Sequence, residues 1–456
     1  MNSPNDMTPQ QLADLDAKYL WHPFTPMQQW IAEGDQPGRF IERAEGFELI
    51  DTHGRRFIDG FSSLWCNLHG HQVEQIDHAI RDQLGKAAHT TLLGYGSPPS
   101  IELARRLVEI TPEGLSKAFY SDSGATAVEI ALKMAFQYFR NIDQPQRQKF
   151  IALGESYHGD TIGSVSVGGI GLFHGIFGPL LFDVTFIDSP NPYHHRSGEN
   201  GAAEILGRLE EILTADGNEY CAIVVEPLVQ GAGGMLTHPR GFLKSVRQLA
   251  TDHGVLLIVD EVATGFCRTG KMFACQIEDV SPDLMCLGKG LTGGYLPLAA
   301  TMATQEIFDA FLARPQDGKT FYHGHTFTGN ALACAAANAS IDLIFESNLL
   351  ESLDEKIEII RAALAPLGEH PNVGDIRQCG MMAGIELVAN RDGPEFFDPN
   401  DRVGVAVCRA ALSRDIIIRP LGDVITLMPA PAMDTATLRR LLSGVVDTIN
   451  EYFNES

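Results

Sequence analysis

The 456-residue chain predicts an α/β fold: a large domain with a mostly parallel central sheet flanked by helices, plus a smaller α+β domain built from both termini. Three observations lead to it. The apolar runs Cys221–Val225 and Val255–Val259 have the unbroken hydrophobicity of strands buried on both faces. Segments of helical periodicity, at 124–140 and 241–253, alternate with such runs. Polar residues stand where the runs end, Asp260 after one strand and Lys289 after the next, at the carboxyl edge where open α/β sheets bind ligands.

Composition bounds the function. At 44% hydrophobic residues the chain can fill one large core and a smaller one. Its formal charge of −24, from 34 basic and 58 acidic residues, repels nucleic acid and anionic membranes, so small-molecule substrates are the expected partners. An anionic ligand must then meet locally placed donors. No apolar run approaches the ~20 residues of a membrane span. Met1–Asp16 lacks the apolar core of a secretory signal. The eight cysteines include no CxxC pair, as expected of free thiols in a reducing, cytoplasmic setting.

In chain order, residues 1–18 read as a loosely held tail. The proline-punctuated Leu20-Trp21-His22-Pro23-Phe24-Thr25-Pro26 cannot be a helix. Phe47–Asp51 and Arg56–Asp59 alternate about a Thr-His-Gly turn and predict a hairpin. The pairs His69/His71 and His323/His325 have no further ligand at metal spacing, so no metal is expected. Helical periodicity covers 73–87 and 100–110. Lys117–Ser121 reads as a strand running through Asp122-Ser123-Gly124-Ala125 into the next helix, so the amides of Gly124 and Ala125 open a helix N-terminus suited to a phosphate or to an ordinary cap. The strand at Lys149–Leu153 leads to Tyr157, placed to stack on a planar ring. The loop Gly324-His325-Thr326 precedes the helix 331–345 and offers a second set of phosphate donors. Helices at about 352–366 and 402–413 flank apolar strands. Arg419, after Ile416-Ile417-Ile418, suits either a substrate carboxylate or a surface ion pair. The predicted division is an N-terminal segment (1–72) of the small domain, a large cofactor-binding domain (73–335) and a C-terminal small domain (336–456).

The chemistry centres on Lys289, alone among apolar residues and glycines in Cys286-Leu287-Gly288-Lys289-Gly290-Leu291-Thr292-Gly293. Desolvation lowers a lysine's pKa and yields a neutral amine able to form a Schiff base with an aldehyde. With Asp260 for a pyridine nitrogen, the set suits pyridoxal 5'-phosphate, and Lys289 is then the natural proton carrier. The same stretch has the Gly-x-Gly-x-x-Gly spacing of a dinucleotide fingerprint, but Pro297 makes the residues after Gly293 a poor helix start. A nicotinamide oxidoreductase and a non-catalytic cofactor binder are the rival classes.

Asp260–Gly270, the Lys289 segment and Gly324–Asn330 resemble class III aminotransferases of fold type I, over roughly residues 20 to 450. Trp21–Thr25, Asp59–Ser63, Asp122–Ala125, Tyr157–Asp160, Val229–Met235 and Arg419–Gly422 resemble the biotin-pathway branch, whose acceptor is 8-amino-7-oxononanoate. The resemblance implies a homodimer in which Lys289 carries the covalent link to pyridoxal 5'-phosphate and Asp260 binds its ring nitrogen. It implies that Tyr157 stacks on the ring and that Gly124, Ala125 and the loop residues His325 and Thr326 serve the phosphate, Thr326 from the second subunit. It also implies a substrate site of Phe24, Leu64, Trp65, Tyr157, Lys289, Gly324 and Arg419, the last gripping the carboxylate. Members using S-adenosylmethionine as donor usually have tyrosine at the position of Phe24 and a tryptophan pair at Leu64-Trp65. Phe24 and the single tryptophan are similar to the lysine-using branch. S-adenosylmethionine remains the first expectation and L-lysine the alternative, with a broader ω-amino acid or diamine:pyruvate enzyme beside them.

Overall fold

The structure, a computed structural model, describes residues 7–393 and 395–454. Its core is a seven-stranded sheet in the order Leu115–Ser121, Ala299–Thr304, Leu284–Leu287, Leu256–Asp260, Tyr220–Val225, Lys149–Leu153, Thr185–Ile187. The last five pair in parallel. Ala299–Thr304 runs antiparallel to both of its neighbours. Sequence periodicity gave no sign of that strand. After Lys289 the chain makes one 3-10 turn, Lys289–Thr292, and returns directly along the sheet. No helix opens there, so the Gly-x-Gly-x-x-Gly spacing lacks the helix N-terminus that a pyrophosphate needs.

Each strand forms because its residues suit burial on both faces. All six residues of Tyr220–Val225 are buried, and so are the last four of Leu256–Asp260. Between them the helix Phe242–Asp252 buries Phe242, Leu243, Val246 and Ala250, one face of a 3.6-residue period, and returns the chain for the next parallel strand. The helix Gly124–Asn141 follows the edge strand Leu115–Ser121 after a tight turn, with the Ser123 side chain capping Thr126 N–H. The alanine-rich helix Ala331–Glu346 packs closely on the helices Glu74–Leu84 and Pro98–Ile110.

Strands from both ends of the chain share a smaller sheet. Ile41–Glu45, Glu48–Asp51 and Arg56–Asp59 form an antiparallel meander, and Ile416–Ile417 pairs in parallel with its last strand. A second antiparallel sheet comprises Val373–Cys379, Met382–Leu387, Val424–Leu427 and Arg419–Leu421. All eight cysteines are free thiols. Among the described residues no helix is long and apolar enough to cross a membrane.

One expectation needs correction. The supposed loose tail is a helix from Pro9 to Tyr19, with a Thr8/Gln11 capping box and proline in the first turn. Its anchor is the buried Asp16 carboxylate, which accepts from Trp30 Nε1 at 2.6 Å and lies 2.8 Å from His22 Nε2. Residues 1–6 of that segment lie outside the described residues. Losing a buried hydrogen bond to a charged group costs about 1.5–3 kcal/mol. Asp16→Ala is therefore expected to speed amide exchange across 9–19 while leaving exchange in Leu256–Asp260 unchanged. Unchanged protection of 9–19 would contradict the anchor.

Candidate active site

A cavity of about 440 Å³ opens at the carboxyl edge of the central sheet, lined among others by Trp65, Gly124, Tyr157, Glu226, Asp260 and Lys289. Strand register places the two charges. Asp260 pairs with Cys286, so the neighbouring strand ends one residue later and Lys289 emerges just past the same edge. Lys289 has φ of 43°, a left-handed conformation that costs a non-glycine residue about 1–2 kcal/mol. Strain of this kind is concentrated at functional sites. Its Nζ lies 4.7 Å from the Trp65 ring centroid and has no carboxylate partner within ion-pair distance among the described residues. Desolvation lowers the Lys289 pKa, against the opposing pull of Asp260 and Glu226. The neutral amine needed for attack on an aldehyde is thereby favoured.

Asp260 is buried and held from two sides. His158 Nδ1 lies 2.8 Å from Oδ2, and Val262 N–H donates to Oδ1 at 3.0 Å. Burial opposes protonation of His158, but the bond and charge of Asp260 outweigh it, and the His158 pKa rises. These two contacts orient the Asp260 carboxylate towards the cavity, where it can accept from a ring N–H. Glu226 lies in the same cavity and accepts from Tyr157 N–H at 3.1 Å and Gly231 N–H at 3.0 Å. Burial, reinforced by the Asp260 charge, pushes its pKa up to about 7.

The N-terminus of helix Gly124–Asn141 forms another wall. The amides of Gly124 and Ala125 lie in its first turn, at the positive end of the helix dipole. Gly124 tolerates no side chain, since a Cβ there would sit 2.5 Å from Val262 Cγ1. Gly159, at φ 114°, lets the Tyr157–Asp160 loop press onto the same helix start, 2.3 Å from Ala125 Cβ to a would-be Cβ. An amine, a carboxylate, an aromatic and a helix N-terminus are thus gathered in one cavity. This donor set fits the aldehyde, ring nitrogen, ring face and phosphate of pyridoxal 5'-phosphate.

Trp65 is delivered by an unusual turn. Ser62, Ser63, Leu64 and Trp65 all have positive φ, 53°, 49°, 70° and 68°. Such a run survives only when its surroundings pin it. The Asp59 carboxylate accepts from Ser63 N–H at 3.0 Å and Ser63 Oγ at 2.8 Å. Ser62 Oγ bonds to the Met428 carbonyl, and the buried Arg268 donates to Ser62 Oγ, Asn67 O and Pro429 O.

The residues singled out in the sequence fall into three groups. Lys289, Asp260, Tyr157, Gly124, Ala125 and Trp65 line the cavity. Phe24 and Arg419 instead line a second cleft of about 460 Å³, while Leu64 is half exposed beside Trp65. Arg419 has no ion pair or side-chain hydrogen bond among the described residues, so the surface ion pair that competed for it does not form. Gly324 lines a third cavity of about 380 Å³ with Leu92, Tyr95 and Phe119, Thr326 is exposed, and His325 Nε2 lies 3.9 Å from Asp122 Oδ1. None of these three lines the Lys289 cavity of its own chain. Glu226, His158, Asp59 and Arg268 were not singled out in the sequence. For Glu226 the signal was present, since it ends an apolar strand just as Asp260 does; the other three owe their roles to tertiary contacts.

The family model "Aminotransferase class-III" matches residues 31–449. The adenosylmethionine-8-amino-7-oxononanoate aminotransferase of Nitratidesulfovibrio vulgaris is 52% identical, over 97% of this chain and 82% of that protein. The crystal structure of the enzyme of that name from Methanocaldococcus jannaschii superposes with TM-score 0.92 at 42% identity, covering 97% and 99% of the two chains. An omega transaminase from Pseudomonas jessenii, solved in complex with PMP, superposes with TM-score 0.93 at 28% identity, covering 97% and 98%.

A carboxyl whose folded pKa is raised binds its proton more tightly in the folded state, so stability falls as pH climbs from its unfolded value of about 4.3 to the folded value. For Glu226 that window ends at about 7. Glu226→Gln is expected to flatten the fall in Tm between pH 5 and 7, measured beside the wild type. An unchanged slope would show that Glu226 is not the titrating group.

Proposed function

The chain belongs to the class III aminotransferases, and from that premise we propose that it transfers an amino group to 8-amino-7-oxononanoate, giving the 7,8-diamino acid of biotin synthesis. The names of its relatives support this acceptor. The observation that carries it is the arrangement of two sites: a desolvated lysine in one cavity, and an unpaired Arg419 in a cleft sharing no lining residue with that cavity. A substrate reaching both must separate its reacting carbonyl from its carboxylate by a spacer. The oxononanoate has that shape, and pyruvate does not.

Pyridoxal 5'-phosphate, when bound, supplies an aldehyde for the amino group and a ring that accepts electrons as the adjacent C–H bond breaks. Lys289 Nζ would hold the cofactor's aldehyde and, when free, would carry the proton between the two carbons. Asp260, fixed by its 2.8 Å contact with His158, would accept from the ring nitrogen. The Gly124 and Ala125 amides would take the phosphate, and Tyr157 would face the ring. Glu226, through the Tyr157 and Gly231 amides, fixes the loop that carries Tyr157. We assign the protein a homodimer in which the partner subunit's Thr326 completes the phosphate site. Its exposure, and its absence from the lining of its own cavity, support that assignment.

S-adenosylmethionine is the proposed donor, on the strength of the relatives' names. L-lysine is the second reading, favoured by two side chains: Phe24 has no hydroxyl, and the half-exposed Leu64 has no aromatic face for a sulfonium or adenine. The deciding experiment follows visible absorbance of the yellow holoenzyme on titration with each donor. Bleaching by S-adenosylmethionine supports the first reading, and bleaching by lysine alone replaces it. Bleaching by neither, but by a diamine or ω-amino acid, overturns the biotin-pathway assignment.

Arg419→Ala removes a charge-assisted contact made only by the acceptor. Such contacts are worth about 1.5–3 kcal/mol, so the acceptor KM should rise about 10- to 100-fold. The donor half-reaction should be nearly unaffected in single-turnover measurements. Equal damage to both halves would contradict the role.

A further inference from the structure

The cleft that holds Arg419 is lined by four arginines and a single carboxylate, in a chain whose net charge is −24. It lies between the helices Met27–Glu33 and Val403–Ala410. Two of the four guanidiniums are occupied. Arg409 pairs with Glu33, and Arg39 approaches the same carboxylate at 3.9 Å. Arg39 also donates to the carbonyls of Gly34 and Trp30 at 2.6 and 2.8 Å, and lies 3.7 Å from the Trp30 ring centroid.

Arg402 and Arg419 are different. Among the described residues, the Arg402 guanidinium bonds only the neutral side-chain oxygen of Gln29, and that of Arg419 bonds nothing. Arg402 stands at φ 50° as the residue before helix Val403–Ala410, a left-handed position that aims the half-buried side chain back across the cleft to Gln29. Two half-buried guanidiniums without a counter-charge are unfavourable on their own and favourable with an anion between them. Beside the polar Thr25, Gln29 and Gln36, the cleft also presents Phe24, Pro26, Trp30 and Leu412, an apolar wall that suits an alkyl chain.

We propose that Arg402 is a second carboxylate-binding residue and that, with Arg419, it makes this cleft a two-arginine site for the carboxylate end of an aliphatic substrate. The inference rests on the acceptor reading above. In it the Gln29 amide holds Arg402 in place without neutralising it, and the incoming carboxylate supplies the missing charge.

The test compares 8-amino-7-oxononanoate with its uncharged methyl ester as acceptors for the holoenzyme, in the wild type and in Arg402→Gln, Arg402→Lys and Arg419→Ala. Removing one charged hydrogen-bond donor should raise the KM for the acid by about tenfold. For Arg402→Gln we expect that rise with kcat within about twofold and the ester KM unchanged. Arg402→Lys, which keeps the charge, should recover part of the loss. If Arg402→Gln raises the KM of acid and ester alike, Arg402 merely ties the two helices together and the inference is overturned. If Arg419→Ala discriminates acid from ester while Arg402→Gln does not, the inference falls and the acceptor reading stands. If neither variant discriminates, both fall.

Discussion

The parallel pairing of Leu256–Asp260 with Leu284–Leu287 is the constraint on which the site depends. Register fixes Asp260 and Lys289 past the same edge, and the sheet behind them supplies the low-dielectric wall that makes their charges interact. Desolvation weakens the ammonium form of Lys289, and a 2.8 Å contact with His158 fixes the Asp260 carboxylate. The two groups are set by different physical causes: burial acts on the amine, and a hydrogen bond orients the acid. On an exposed loop the lysine would keep its ammonium charge.

Around that pair the chain accepts backbone strain. Lys289 and the four residues Ser62–Trp65 occupy left-handed conformations, and the two strained segments meet where the Trp65 ring lies against the lysine amine. The cost is offset by buried polar groups that tie the turn down: Asp59 for the Ser63 amide and hydroxyl, Arg268 for two carbonyls and the Ser62 hydroxyl. Arg268 brings together residues near 60, 268 and 429, so segments far apart in the chain position an aromatic on the lysine.

The lysine and the unpaired arginine lie in separate pockets. The amine-transfer cavity is built by the central sheet, whereas the arginine cleft is built by the N-terminal helix Met27–Glu33 and the C-terminal segments. A strongly acidic chain repels carboxylates over most of its surface, so a local excess of guanidinium stands out against it. In the proposed reading that cleft takes the substrate carboxylate, and the length of the substrate acts as the filter.

By itself the amino-acid sequence determined the sheet and its catalytic edge. Short apolar runs rich in β-branched residues suit buried strands, the helices between them show their 3.6-residue face, and a lone lysine among glycines is legible because nothing local solvates it. Asp260, Gly124, Ala125 and Tyr157 were legible for the same reason, each sitting at the end of a local element. The antiparallel strand Ala299–Thr304 was hidden behind glycine and Pro297, and the anchored helix Pro9–Tyr19 looked like a polar tail because its buried contact, Asp16 with Trp30, spans fourteen residues. Tertiary structure alone decided which charges are left over. Whether Arg402, Arg409 or Arg419 has a partner, and whether Glu226 and His158 touch Asp260's surroundings, depends on segments far apart in the chain meeting in space. Local periodicity carries no information about such pairings.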